Sequence, residues 1–384
     1  MPVLSLLALA LTGFITILTE ALPAGLLSQM SQSLAVSEAW IGQTITIYAI
    51  GSLVAAIPLT TLTQKSRRRP LLLTALAGFV IANSVTAIST SYFLTMVARF
   101  LAGISAGLLW ALVAGYAARM VPEQQKGRAI AIAMIGAPLA LSLGVPAGAF
   151  LSQLLDWRYC FAIMSILAIL LMLWVHLKLP DFAGVSTSKT YSIAQVFTLP
   201  GIRLILFVVL TFVLAHNILY TYIVPFLASV DMAENTDLVL LLFGLSSFPS
   251  IWLVGLLIDH HLRKLTLVCI LLFSLAAFLL PFSSQLPTVV YAASAIWGLA
   301  FGGAATLFQT ALARAAGDCA DIAQSMLVTV WNIAIAGGGV AGALVMNNLG
   351  VGGFSPALLV LLIVTLVVVW MGKTHGFPAM RETQ

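Results

Sequence analysis

The chain has 384 residues, 61% of them hydrophobic and 8% charged, with a mean hydropathy of +1.10. Soluble domains run near ~25% charged, so this composition excludes a soluble globular protein and points to a chain that crosses a membrane many times. The formal charge of +5 does not mark a nucleic-acid surface, because Lys and Arg fall in short connectors between apolar runs.

Polar and Gly/Pro punctuation cuts the chain into twelve apolar spans, at about 3–27, 40–62, 71–88, 92–119, 127–154, 159–178, 203–228, 237–258, 264–282, 288–314, 322–347 and 354–373. The first lacks a basic leader and is too long for a signal-peptide core, so it is expected to stay as a span. It carries Glu20 inside the run Thr19-Glu20-Ala21-Leu22-Pro23-Ala24-Gly25. A charge at that depth costs at least about 2.5 kcal/mol unless it faces protein or water, so an intramembrane acid marks a pathway or a proton site. The alternative is a neutral carboxyl hydrogen-bonded to a neighbouring helix.

Arg99 lies at a similar depth in the fourth span, and these two are the only charged residues expected deep in the membrane. They are expected to pair directly or through a cavity, with a tie from Arg99 to backbone carbonyls as the alternative. His216, in the seventh span and 196 residues after Glu20, is the third titratable candidate for proton coupling. Beside Asn217 it reads equally well as a satisfied polar group in a packed bundle.

A substrate cavity needs apolar and aromatic walls with few polar groups. Gln43, Tyr48, Trp110, Asn217, Tyr220, Tyr222, Trp297, Phe301, Phe308 and Asn332 are the candidates, although each taken singly is more often a packing or lipid-interface residue. Cys160, Cys269 and Cys319 form no CxxC and have no His at ligand spacing, so neither a disulfide nor a metal site is expected. No His/acid cluster or Ser/His/Asp set stands at catalytic spacing, which disfavours a membrane-embedded enzyme, and no cofactor is expected.

With a cytoplasmic N-terminus, fifteen of the 17 Lys and Arg residues fall in inside connectors and only Arg158 outside. That bias requires an even number of spans and puts both termini inside. The longest inside connector, 179–202, holds Ser186, Thr187, Ser188 and Lys189 and separates a first half, 1–178, from a second, 203–384. The halves repeat. Arg99 to Gly103 with Gly107 recurs as Ser294 to Gly298 with Gly302, and Gly144-Val145 as Gly339-Val340, each displaced by 195. The basic turn ending Arg67-Arg68 recurs as Arg263-Lys264. Two parallel six-helix repeats are the construction of one large class of secondary transporter.

Together, the six-plus-six spans, the repeated basic loop, the Arg within the fourth span and the Gly/Pro-rich fifth span resemble the major facilitator superfamily. Within it, Thr19 to Leu27, Asp156-Trp157-Arg158, and Ala215-His216 with Tyr222 and Pro225 are similar to the twelve-helix drug:proton antiporters and their sugar (arabinose-like) efflux permeases. The resemblance implies an all-α fold of twelve transmembrane helices in two pseudo-symmetric bundles, with helices 1, 4, 7 and 10 lining a central cavity. It further implies a monomer in the lipid of a bacterial inner membrane. That carrier would export a small organic substrate, sugar or drug-like, against protons by alternating access. A carrier of the same fold that imports or flips its substrate is the alternative.

Departures from the family pattern locate the expected gate. In the first basic loop Leu59, Thr63 and Ser66 stand at the family's Gly, Asp and Gly positions, and only Arg67 and Arg68 are kept. The second copy keeps Gly255, Asp259 and Arg263. Gating is therefore expected at Arg67, Arg128, Asp259 and Arg263, with Asp259 oriented by Arg263 at i to i+4 and reaching Arg128. The fifth span reads Gly144-Val145-Pro146-Ala147-Gly148, an interrupted antiporter motif whose small residues and Pro still permit a close, bent contact.

Overall fold

A computed structural model describes residues 1–184, 191–284, 286 and 288–378, and these are helical with short connectors. Ser186 to Lys189, expected in the linker, and Arg381 lie outside the described residues. In lipid every backbone N–H and C=O must be satisfied within the segment, which helices achieve.

The spans are α1 (Val3–Leu26), α2 (Glu38–Leu62), α3 (Arg68–Ile88), α4 (Tyr92–Arg119), α5 (126–154), α6 (Trp157–Lys178), α7 (202–228), α8 (236–260), α9 (262–279), α10 (288–316), α11 (Ala320–Leu349) and α12 (Phe354–Met371). Two apolar stretches, Leu238–Ser283 and Thr288–Leu349, run to 46 and 62 residues. At about 1.5 Å per residue each far exceeds a ~30 Å hydrocarbon core, so each supplies two crossings. The first turns at His261, whose φ of −126° and ψ of 23° leave the helical region. The second turns at Gly317–Cys319, where Gly317 takes a positive φ of 54°.

Local chemistry explains several helix ends. Ser37 accepts from the Trp40 N–H at the start of α2, and Asp156 accepts from the Arg158 N–H at the start of α6. Arg158 donates to Ser33 Oγ at 2.7 Å and Ser89 O at 3.0 Å, clamping connectors at the end opposite the basic loops. α5 is interrupted by a π-helical turn at Ala140–Gly144, just before Val145 and Pro146.

The chain forms two compact units, Met1–Val196 with Asp318–Thr329, and Phe197–Gly317 with the chain from Val330. The start of α11 thus belongs to the first unit. Both units use the same packing device. In the first, β-carbons on Gly103 and Gly107 of α4 would collide with Tyr48 O and Ser52 O of α2. In the second, Gly298 and Gly302 of α10 would collide with Phe243 O and Ser247 O of α8. Each position is displaced by 195, so the sequence repeat is also a repeat of helix contacts made possible by the missing side chains.

Candidate functional site

The first polar centre forms where α1 changes pitch. Its α-helix ends at Ala21 and tightens into a 3-10 turn over Leu22–Leu26. In a continuing helix Thr19 O would accept from the N–H of residue 23, but residue 23 is Pro and has none. Arg99 supplies the missing donor. Its guanidinium donates to Thr19 O at 2.5 Å and Glu20 O at 3.0 Å, with a longer contact to Thr44 O at 3.5 Å.

The same guanidinium lies 5.0 Å from the Tyr48 ring centroid, and Tyr48 Oη donates to Thr16 O at 3.0 Å. Asn83 donates to Thr19 Oγ1 at 3.1 Å. Arg99 is therefore tied to backbone carbonyls, the alternative raised by the sequence. Among the described residues the Glu20 carboxylate makes no ion pair within 4.0 Å, although it lies near enough to Arg99 for their charges to interact. The arrangement fixes the Glu20 backbone and leaves its carboxyl uncommitted in a half-buried position.

The second polar centre is aromatic. His216 on α7 stacks on Phe301 of α10, with centroids 3.5 Å apart and planes 10° from parallel. Tyr220 lies 5.5 Å away on the other contact, and Phe243 and Trp297 lie 5.8 and 5.2 Å away. Trp297 Nε1–H donates to His216 Nδ1 at 3.1 Å. An indole N–H can only donate, so Nδ1 must present its lone pair and the imidazole is neutral with its proton on Nε2. No charged side chain among the described residues acts on this ring.

The basic end of the first unit holds a third constellation, which sequence reasoning missed. Arg68 Nη2 meets Asp321 Oδ2 at 2.6 Å, and Arg119 Nη2 meets the same oxygen at 3.2 Å. Arg68 and Asp321 expose only 3% and 6% of their side chains, so this ion cluster is buried. Gly115 of α4 lets the carboxylate in, because a β-carbon there would strike Asp321 Oδ1. A signal for it existed: Asp321 stands 195 residues after Lys126, so equivalent repeat positions carry opposite charge.

The expected gate residues make contacts of their own among the described residues. Asp259 pairs with Arg314 at 3.0 Å, and Arg263 donates to Trp370 O at 2.8 Å and Phe377 O at 3.4 Å. The turn at His261 interrupts the single helix on which an i to i+4 geometry for Asp259 and Arg263 depends. Arg67 pairs with Asp181 at 2.5 Å, and Arg128 is exposed on α5. The Asp181 carboxyl also accepts from the Arg69 N–H. Burial alone would raise it, but the Arg67 bond, the Arg69 N–H and both guanidinium charges outweigh that and hold it below its usual range.

The connector after α6 is stitched down. Arg68 N–H donates to Phe182 O, Tyr116 Oη to Pro180 O, and the Gln64 amide exchanges two bonds with the Tyr191 backbone.

The other cavity candidates divide by what they touch. Asn217 donates to Val213 O at 2.8 Å within its own helix, and Tyr222 Oη donates to Gly339 O at 2.8 Å, tying α7 to α11. Gln43 is exposed, Trp110 and Asn332 are half-buried, and Phe308 is buried against Phe212. Trp297, Phe301 and Tyr220 gather around His216, as Tyr48 does beside Arg99.

Residues 9–339 match the sequence pattern of the Major Facilitator Superfamily. The chain belongs to that superfamily. It is 28% identical over 343 residues to a probable sugar efflux transporter of Pasteurella multocida, covering 89% of this chain and 85% of that one. It is 27% identical over 343 residues to a protein of the same description from Helicobacter pylori strain P12, covering 89% and 88%.

Among solved structures, the proton:xylose symporter XylE superposes with a TM-score of 0.77 at 14% identity, covering 96% of this chain and 95% of that one. The human organic anion transporter MFSD10 superposes with a TM-score of 0.75 at 15% identity, covering 96% and 99%. This superfamily member is a transporter rather than an enzyme, and its all-helical fold agrees with the family.

Proposed function

We propose that this protein is a proton-coupled exporter of a small hydroxylated substrate, sugar-like in class, working by alternating access. We place it as a monomer in the lipid of a bacterial inner membrane with both termini cytoplasmic, as the distribution of Lys and Arg favours. The sugar class follows the curated relatives, which are described as probable sugar efflux transporters.

One observation carries the coupling. Arg99 holds the α1 break through the Thr19 and Glu20 carbonyls, while the Glu20 carboxyl keeps no direct ion partner among the described residues. A carboxyl beside a fixed cation in an apolar span is poised to gain and lose a proton as its surroundings change. Glu20 is the proton carrier in this reading, and Arg99 positions it.

The two sequence-related halves, 1–178 and 203–384, joined by 179–202, are the moving bodies. We assign the basic-end latch to Arg68, Arg119 and Asp321, because this ion cluster joins α3 and α4 of the first half to α11 of the second and buries Arg68 and Asp321. Inside-out vesicles under an imposed proton gradient test the reading with a panel of sugars. Glu20→Gln should abolish uphill accumulation while keeping gradient-independent counterflow. A Glu20→Gln protein that pumps uphill as well as the parent removes Glu20 as the carrier.

A further inference from the structure

The His216 cluster has a polar edge that the coupling reading does not use. His216 is 8% exposed, and its Nδ1 is occupied by the Trp297 N–H. Its Nε2 has no hydrogen-bond partner among the described residues. The ring cannot rotate its roles. Turning Nε2 into the acceptor would move the proton to Nδ1 and set two N–H groups against each other. The second unit therefore presents one N–H donor of fixed identity, flanked by aromatic faces.

We infer that His216 is a substrate ligand, donating from Nε2–H to a hydroxyl or ring oxygen of a sugar, and that Trp297 is the positioning residue that fixes its tautomer. This rests on the sugar reading above. Tyr220, 46% exposed and tilted 24° from the imidazole plane, supplies the aromatic face on which the C–H side of a pyranose or pentose ring packs. A neutral donor next to an aromatic face suits an uncharged polyol. It recognises an organic anion less well, because no cation among the described residues stands in the cluster. His216 thereby leaves the set of proton carriers in which the sequence placed it.

Counterflow of L-arabinose and D-glucose in proteoliposomes, with no proton gradient, tests the inference. His216→Leu should raise the KM of the transported sugar about tenfold, in line with one lost hydrogen bond and an unmet hydroxyl. His216→Gln, whose amide can place an N–H near the Nε2 position, should stay within about threefold of the parent for the same reason. Trp297→Phe should fall between them.

A readout independent of transport accompanies these variants. The imidazole 15N shifts of His216, assigned by difference against His216→Gln, should report the Nε2–H tautomer in the parent and a tautomer mixture in Trp297→Phe. Equal KM values for the parent and His216→Leu overturn the inference, and so does an Nδ1–H tautomer in the parent. A parent that carries neither sugar removes the sugar reading itself, and the inference falls with it.

Discussion

Positions related by 195 or 196 residues build the same backbone contacts in the two units but carry opposite chemistry. In the first unit Arg99 reaches Thr44 O, and in the second its counterpart Ser294 donates to Val239 O at 2.7 Å, the carbonyl 195 residues after Thr44. Glu20 corresponds to His216, and Tyr48 under the guanidinium corresponds to Phe243 beside the imidazole. One centre is ionic and bonded to released backbone carbonyls. The other is neutral and enclosed by rings. The same helix contacts thus frame an ionic centre in one repeat and a neutral aromatic one in the other.

The ends of α4 and α10 show the same divergence. Arg314, 195 residues after Arg119, takes Asp259 from the end of α8 in its own repeat. In the first repeat Thr63 replaces that acid, and Arg119 takes Asp321 instead, 202 residues away. The carboxylate that Arg119 meets comes from α11, and Arg68 is a second cation on it.

The comparison is broken most severely by Arg99→Ala. That change removes the donor for Thr19 O and Glu20 O inside the membrane, and each unsatisfied buried group costs about 1–3 kcal/mol. We expect loss of folded protein or of all transport, measured by thermal unfolding in detergent alongside counterflow. Ser294→Ala, at the equivalent site, should cost about 1 kcal/mol, as one neutral hydrogen bond does. Equal losses would mean that the two centres are not differently loaded. Arg99→Lys should rescue only partly, because a point charge cannot reach two carbonyls as a planar fork does.

Next in size is the basic end. Asp321→Asn should strip the buried Arg68 and the half-buried Arg119 of their shared acid and shift the opening equilibrium by about 1–2 kcal/mol, roughly five- to thirtyfold. Asp259→Asn, which disturbs a pair inside one repeat, should shift it less. Cysteine labelling of cavity positions from the basic side checks this, and greater labelling in Asp259→Asn than in Asp321→Asn would return the latch to the second copy.

A smaller effect sharpens the role of the α1 break. Pro23→Ala restores an N–H that can bond Thr19 O, so it should relieve part of the Arg99→Ala defect. A double-mutant cycle should show coupling of about 1 kcal/mol between the two positions. Strict additivity would separate Pro23 from Arg99.

Some of this was legible in the sequence. The spans and the 195-residue repeat follow from hydrophobic length and glycine spacing, and Glu20 and Arg99 stand out as charges in apolar runs. The link from Pro23 to Arg99 could have been read by counting four residues back from a missing N–H. The turn at His261 falls in the polar break between the spans expected at 237–258 and 264–282. The Arg68–Asp321 pair could not be read locally, because it joins segments far apart in sequence.

The smallest expected effect concerns Asp181. Its carboxyl titrates below its unfolded value, so the stability from its bonds to Arg67 and Arg69 is fully present above the unfolded range, near ~3.9, and is lost as pH falls through the lower folded value. The clasp should be unchanged between pH 5 and 8 (roughly the range in which His, not Asp, titrates), and Asp181→Asn should cost under about 1 kcal/mol there. Limited proteolysis of the connector against pH measures it, and protection lost on moving from pH 8 to pH 5 would contradict it.

The division between the two centres is tested most directly by proton release on adding sugar to detergent-solubilised protein in weak buffer, followed with a pH indicator. The parent and His216→Gln should release protons in proportion to sugar bound, and Glu20→Gln should release none. Release that persists in Glu20→Gln and vanishes in His216→Gln would move the proton to the second unit and contradict the account.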